Sequence, residues 1–240
     1  MGSLPDKGEL QAGFNAGQPA TKLLYHAIPV APQGDAIRTS TNYGMDIRPE
    51  ILAALGVTDT DHPPLVFASG HFTKALACGL DTFASEKAMN MGIDGTQSEL
   101  VLILNRDVTM SRERSGKVYA FPADGFVELP YADRQSVSTA PVKFKDAEVV
   151  LEIKSADDLM RAGLQIISFR ETAKELWNDA GLTAAINNSG DTYKSLGELV
   201  KQGRAVWENH ARGINPEPVL AEKLGVALFS RNPKPVANPL

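Results

Sequence analysis

The hydrophobic pattern changes character once along this chain. In the first two thirds, apolar residues come in short runs bounded by Gly, Pro, Asn and Asp, the pattern of strands and turns. These runs predict strands over 22–28, 65–69, 100–104, 117–122, 141–144 and 147–153. Leu100-Val101-Leu102-Ile103-Leu104 is uninterrupted, which suits a central strand buried on both faces. Ser69 is placed to cap a following helix, whose Phe72, Ala75, Leu76, Leu80 and Phe83 fall on one face. The loops 29–64 and 105–116 have lengths that mark function or mobility.

Helical spacing takes over afterwards. Ser155-Ala156-Asp157-Asp158 is a capping box, and Gly163 stands where a short helix stops. Leu164-Gln165-Ile166-Ile167 reads as another strand, so the strand, helix and strand from 147 to 167 are expected to lie in one sheet. Beyond residue 170 the signal is helical only. One helix covers 171–180 and closes at Gly181. A second opens with Ser195-Leu196-Gly197-Glu198 and carries Leu196, Leu199, Val200, Val206 and Trp207 along one side. A third starts with Asn215 as cap and Pro216 in the first turn, turning Val219, Leu220, Leu224 and Leu228 inward. Strands first and helices after define an α+β chain. The expected organisation is a flexible arm over 1–21, an α+β domain over 22–170, a helical appendage over 171–231 and a Pro-rich tail over 232–240. The arm has little beyond Leu4, Leu10 and Phe14 to bury, and the tail has three prolines in nine residues.

Composition narrows the function. With 240 residues, 43% of them hydrophobic, the chain can bury a sizeable core. A net charge of −5 argues against a protein built to grip a nucleic-acid backbone. The single cysteine, Cys78, excludes an internal disulfide or a cysteine metal cluster, and reads as a small buried hydrophobe. The histidines lack the spacing of a helical zinc pair, and no phosphate-binding glycine loop or nucleophile elbow occurs. His62 and His71 read as surface groups, and His210, three residues after Trp207, as part of packing. The loop from Asn105 to Lys117 carries Arg106, Arg112, Arg114 and Lys117 against Asp107 and Glu113, the balance of a solvated loop. No apolar run approaches membrane-spanning length, and Met1-Gly2-Ser3-Leu4-Pro5 lacks a secretory pattern. Asp6 stands where a myristoylation signal wants Ser or Thr. A cytoplasmic setting without membrane partners is the expectation.

Four short motifs stand in order along the strand-rich half. Tyr25-His26 closes the first strand, and Val66-Phe67-Ala68-Ser69 leads into the helix bearing Ala75. Val118-Tyr119 with Phe126 comes next, then Ser138-Thr139-Ala140-Pro141-Val142. In this order they resemble the ADP-ribosyltransferase fold over roughly 22–153, and within it the rifamycin-inactivating ADP-ribosyltransferases and RNA 2′-phosphotransferases. The resemblance implies an enzyme that consumes NAD and passes ADP-ribose to an acceptor. It places Tyr25, His26, Phe67, Ser69 and Tyr119 around the dinucleotide. His26 would hold a ribose hydroxyl, and Phe67, where the family has tyrosine, would stack on nicotinamide. Cleaving the nicotinamide–ribose bond passes through an oxocarbenium-like sugar, which a later polar or acidic group steadies. The resemblance assigns that third place to Gln135 or Ser136, near Asp133, where the family carries an acid; with His26 they form the catalytic set. Beside this reading stand plainer ones: His26 as a hydrogen-bonded strand histidine and Phe67 as a core aromatic.

A second class of function fits the same sequence. Two terminal segments unable to fold alone are suited to lying across neighbouring chains, as in a homo-oligomer, a virus particle or another multi-chain assembly. In that reading the nucleotide-shaped core has no catalytic duty and the setting is the virion. Binding of NAD separates the two.

Overall fold

The computed structural model describes residues 22–28, 34–37, 47–57, 64–78, 88–92, 100–105, 116–130, 135–179 and 192–228. The two terminal arms, the helix positions Leu80 and Phe83, the Arg-bearing loop and Asp133 lie outside the described residues. Among the described residues the strands are β1 (Leu23–Ile28), β2 (Val66–Ser69), β3 (Ala88–Gly92), β4 (Leu100–Leu104), β5 (Gly116–Pro122), β6 (Val127–Glu128), β7 (Gln135–Ser138), β8 (Glu148–Ile153), β9 (Gln165–Phe169) and β10 (Ala205–Trp207). The helices are α1 (Pro49–Ala54), α2 (Phe72–Cys78), α3 (Ala156–Arg161), α4 (Ala173–Asn178), α5 (Thr192–Lys201), α6 (Glu208–Arg212) and α7 (Pro218–Leu224). The chain is α+β, with helices concentrated after β9.

The strands form two sheets. A six-stranded sheet has the order β6-β7-β2-β1-β5-β8, and a four-stranded sheet the order β10-β9-β4-β3. Every pairing is antiparallel except β4 with β9. The uninterrupted run in β4 is explained by its place between the layers. Leu102 and Leu104 enter a core shared with Ala27, Val118 and Ile153 of the six-stranded sheet and with α2 and α3. Val101 and Ile103 point the other way, into a core with Leu196, Trp207, Leu220 and Leu224. Alternation along one strand thus feeds two cores.

The linker after β8 behaves as its sequence predicts at both ends. Asp158 accepts from the Ser155 backbone N–H at 2.8 Å, completing the capping box. Gly163 adopts φ +110°, which lets the Leu164 N–H return to the Leu159 carbonyl at 3.0 Å. The expected destination is wrong, however. The chain leaves the edge of the six-stranded sheet at β8 and enters the four-stranded sheet at β9, so the two strands are not sheet neighbours.

Residues beyond 170 are not helical only. Ala205–Trp207 forms β10 against β9, with Trp207 opposite Ile167. Val206 and Trp207 therefore belong to a strand rather than to the helix bearing Leu196. That helix, α5, begins at Thr192, so the expected Ser195–Glu198 box lies inside it. The third helix starts two residues late: Glu217 caps α7 and Pro218 takes the first turn, while Asn215 sits at φ +39° before it. Leu220 and Leu224 are buried as expected, but Val219 is 47% exposed. The expected strand 141–144 is instead an irregular segment ending in a 3₁₀ turn, Phe144–Asp146.

Polar side chains finish the ladders that the short strands leave open. Asn209, fully buried, accepts from the Ile166 N–H at 2.9 Å and donates to the Leu164 carbonyl at 3.0 Å, extending β10 by one pseudo-residue. Gln165 accepts from the Trp207 indole at 3.1 Å and donates to the Asn215 carbonyl at 2.9 Å, tying α7's approach to β9.

Candidate functional site

The site residues expected from the sequence all lie on β1, β2, β5 and β7, which are neighbours in the six-stranded sheet. Register divides them between its two faces. Tyr25 pairs with Ser69 and Ser69 with Gln135, so these three form one cross-strand row. His26 pairs with Tyr119, and Ser136 pairs with Ala68, the β2 residue adjoining Ser69. Side chains alternate along a strand, so His26, Tyr119 and Ser136 share the face opposite Tyr25, Phe67, Ser69 and Gln135.

The face bearing Tyr25 is the one that packs on α2. The Tyr25 ring meets Phe72 edge-on, with centroids 5.2 Å apart, and burial raises its phenol pKa above the ordinary range. Ser69 does not stand at the helix cap itself. Its hydroxyl accepts from the His71 N–H at 3.0 Å, turning the chain into α2. His71, expected at the surface, is buried. Phe67 packs with Ile51, Leu65, Leu129 and Val137, as a core aromatic does. The sequence expectation that Phe67 and His26 flank one ligand is therefore not met. Their side chains face opposite ways, and the hydrogen bond between the two residues runs through the Phe67 backbone. Gln135 is likewise separated from His26, whereas Ser136 shares its face.

His26 is the centre of the other face. β1 and β5 pair at six successive positions, but β1 and β2 pair only at Tyr25–Ser69. The strands part beyond that point, and the His26 ring enters the seam: its Nδ1 lies 2.6 Å from the Phe67 carbonyl oxygen. A carbonyl only accepts, so Nδ1 carries the proton. Burial lowers the His26 pKa, and the bond to Phe67 offsets this in part. The imidazole is thus neutral near pH 7, with its tautomer fixed and the Nε2 lone pair available as an acceptor. No hydrogen bond to Nε2 occurs among the described residues. Around the histidine on the same face lie Leu24, Val66, Ala68, Tyr119 and Phe121, with Ile28 half-buried beside them. The Tyr119 ring packs on Phe144, centroids 5.0 Å apart, and burial raises its phenol pKa. Ser136 is buried at 3% exposure.

This arrangement can hold a hydroxyl-bearing ligand through a fixed acceptor in an apolar surround. The division between faces was readable from the alternation of Tyr25 and His26 and of Gln135 and Ser136. The open seam was not, because strand divergence is a tertiary property. Among the described residues no three His, Cys, Asp or Glu are grouped to hold a metal ion, and no helix is long and apolar enough to cross a membrane. Compared with protein-family models, with curated proteins and with solved structures, the chain matches none.

Proposed function

We propose that this protein is an ADP-ribosyltransferase-like enzyme that takes NAD as its substrate, with His26 accepting a hydrogen bond from a ribose hydroxyl through Nε2. The observation that carries the reading is the tautomer lock at the β1–β2 seam, where Nδ1 is spent on the Phe67 carbonyl at 2.6 Å. A ribose hydroxyl needs a neutral, oriented acceptor, and a histidine with one nitrogen committed to a carbonyl supplies one. Ser136, on the same face, takes the third polar position, where a hydroxyl orients the sugar or the acceptor substrate. Tyr119, paired with His26, closes the row. Phe67 and Gln135 have no part in this site.

Calorimetric titration with NAD and a nicotinamide-release assay test the proposal. Losing one hydrogen bond to a group that becomes charged costs about 1.5–3 kcal/mol. His26→Ala is then expected to slow nicotinamide release by roughly tenfold to a hundredfold. His26→Gln restores an acceptor without the fixed tautomer and should recover part of the loss. A wild-type protein that neither binds NAD at millimolar concentration nor releases nicotinamide refutes the reading.

A further inference from the structure

Three lysines gather around Tyr119, the β5 residue paired with His26. β5 and β1 pair without a break, so Lys117, opposite Ile28, shares the face of Tyr119 and His26. Lys143 and Lys145 flank Phe144, whose ring lies 5.0 Å from that of Tyr119. Val142 and Phe144 pack against the core of this face, while Lys143 and Lys145 are exposed and Lys117 is half-buried. None of the three lysines makes an ion pair among the described residues. Lys22, Lys154 and Lys201 differ, each engaged by a carboxylate: Glu128, Glu152 and Glu198. Two acidic residues adjoin the group. Asp146 follows Lys145 and is exposed, and Glu152, opposite Lys117 on β8, is engaged by Lys154 at 3.8 Å. Val149, opposite Tyr119 on β8, is 41% exposed, which places an open apolar surface beside the lysines.

We propose that Lys117, Lys143 and Lys145 bind the two phosphates of a nucleoside diphosphate, with its base against Val149. The inference deepens the NAD reading and rests on it for joining this nucleotide to the ribose at His26. A lysine without a carboxylate partner keeps its three donors and its charge for a ligand, and a diphosphate brings two negative charges. With a net charge of −5 the chain as a whole repels an anion, so a diphosphate that binds must be held locally. The spacing suits one ligand. Neighbouring strands lie about 4.8 Å apart, and Lys117 stands two residues along β5 from the partner of His26. The backbones of His26 and Lys117 are therefore within roughly 10 Å, a span that a four-carbon lysine stem shortens further.

Calorimetric titration of the full chain with ADP tests the lysines apart from the chemistry, because ADP lacks the nicotinamide ribose. ADP is expected to bind, and the Lys117→Gln/Lys143→Gln/Lys145→Gln variant to bind it at least about tenfold more weakly, as loss of charge-assisted contacts predicts. Arginine at the same three positions keeps the charge and should retain binding. The exposed pair alone, Lys143→Gln/Lys145→Gln, should weaken binding in the same direction if the triple variant does not fold. Lys174→Gln on α4 and Lys194→Gln on α5, both exposed, control for bulk charge and should leave ADP binding unchanged. No ADP binding at millimolar concentration, or binding that the lysine substitutions leave unchanged, overturns the proposal. An equal loss in either control does so too. If ADP binds through these lysines but the protein neither binds NAD nor releases nicotinamide, the diphosphate site stands and the enzyme reading falls. If NAD is cleaved and the lysines change nothing, the enzyme reading stands and the diphosphate site falls.

Discussion

Replacing Gly197 by alanine tests whether the C-terminal helices form one core with the four-stranded sheet. Gly197 lies inside α5, where alanine is the better helix former by about 1 kcal/mol. Propensity alone predicts stabilisation. The neighbouring helix predicts the opposite. A Cβ at this position would fall 1.9 Å from the Leu224 carbonyl oxygen and 2.7 Å from its carbon. These are backbone atoms, so no rotamer change relieves the clash. α7 would have to move back by more than 1 Å to reach ordinary contact, measured from that 1.9 Å approach. It is held in place by Leu220, Ala221 and Leu224, all buried against Leu196, Leu199 and Trp207. Forcing extra volume into a packed core costs about 1–3 kcal/mol, and a backbone obstacle places this case at or above the upper end. Subtracting the propensity gain leaves a net loss of about 2 kcal/mol or more, or a fall in Tm of at least roughly 4–8 °C for a chain of this size. Urea and thermal unfolding of wild type and Gly197→Ala measure it. Truncating Leu224 to alanine should not rescue the variant, because the obstacle is backbone. A Tm that rises in Gly197→Ala would refute the close packing of α5 on α7.

Two further outcomes follow from the same geometry. A fragment ending at residue 170 loses β10, α5 and α7 and bares Val101, Ile103, Ile167 and Phe169; it is expected to unfold without a cooperative urea transition, and a sharp transition would restore the view of 171–231 as an appendage. His26 is held below its ordinary pKa near 6.5, so the unfolded chain takes up its proton first as pH falls. Its contribution should be constant above about 6.5 and decline as pH drops through the window between 6.5 and the lowered folded value, and His26→Gln should remove that part of the pH dependence in denaturant titrations.

The strands with long apolar runs were legible because burial on two faces leaves no room for polar residues, as β4 shows. β7 was hidden because Gln135-Ser136-Val137-Ser138 offers one apolar residue, its serines filling the side that faces His26. β10 was hidden for the opposite reason. Val206 and Trp207 continue the apolar stripe of α5 at a spacing that a helix would also produce, and only pairing with β9 makes them a strand. The α7 cap was ambiguous because Pro216 and Pro218 both fit a first helical turn, and the Glu217 side chain, accepting from the Val219 N–H at 3.4 Å, decides between them. The jump from β8 to β9 across sheets had no local signature at all. The partner of β9 is β4, some sixty residues upstream, and nothing in either sequence specifies that distance.

The same physical problem recurs at two places in this fold, and the difference between its solutions separates a structural device from a site. A strand edge that loses its ladder partner leaves backbone groups to be satisfied by side chains. At β9 the side chain is Asn209, and both ends of its amide are spent: Oδ1 on the Ile166 N–H and Nδ2 on the Leu164 carbonyl. The group is fully buried, out of reach of a ligand. At the β1–β2 seam the side chain is His26, and among the described residues only Nδ1 is spent. The repair leaves a second nitrogen in a defined state, an acceptor held on a rigid strand. A structural requirement alone would be met by asparagine, as it is at β9. In the proposed function the imidazole is wanted for the nitrogen the backbone does not use, and His26→Asn isolates that difference. It should keep the seam bonded and the protein folded while removing the Nε2 acceptor, so unchanged stability with lost NAD binding supports the site, and unchanged NAD binding refutes it.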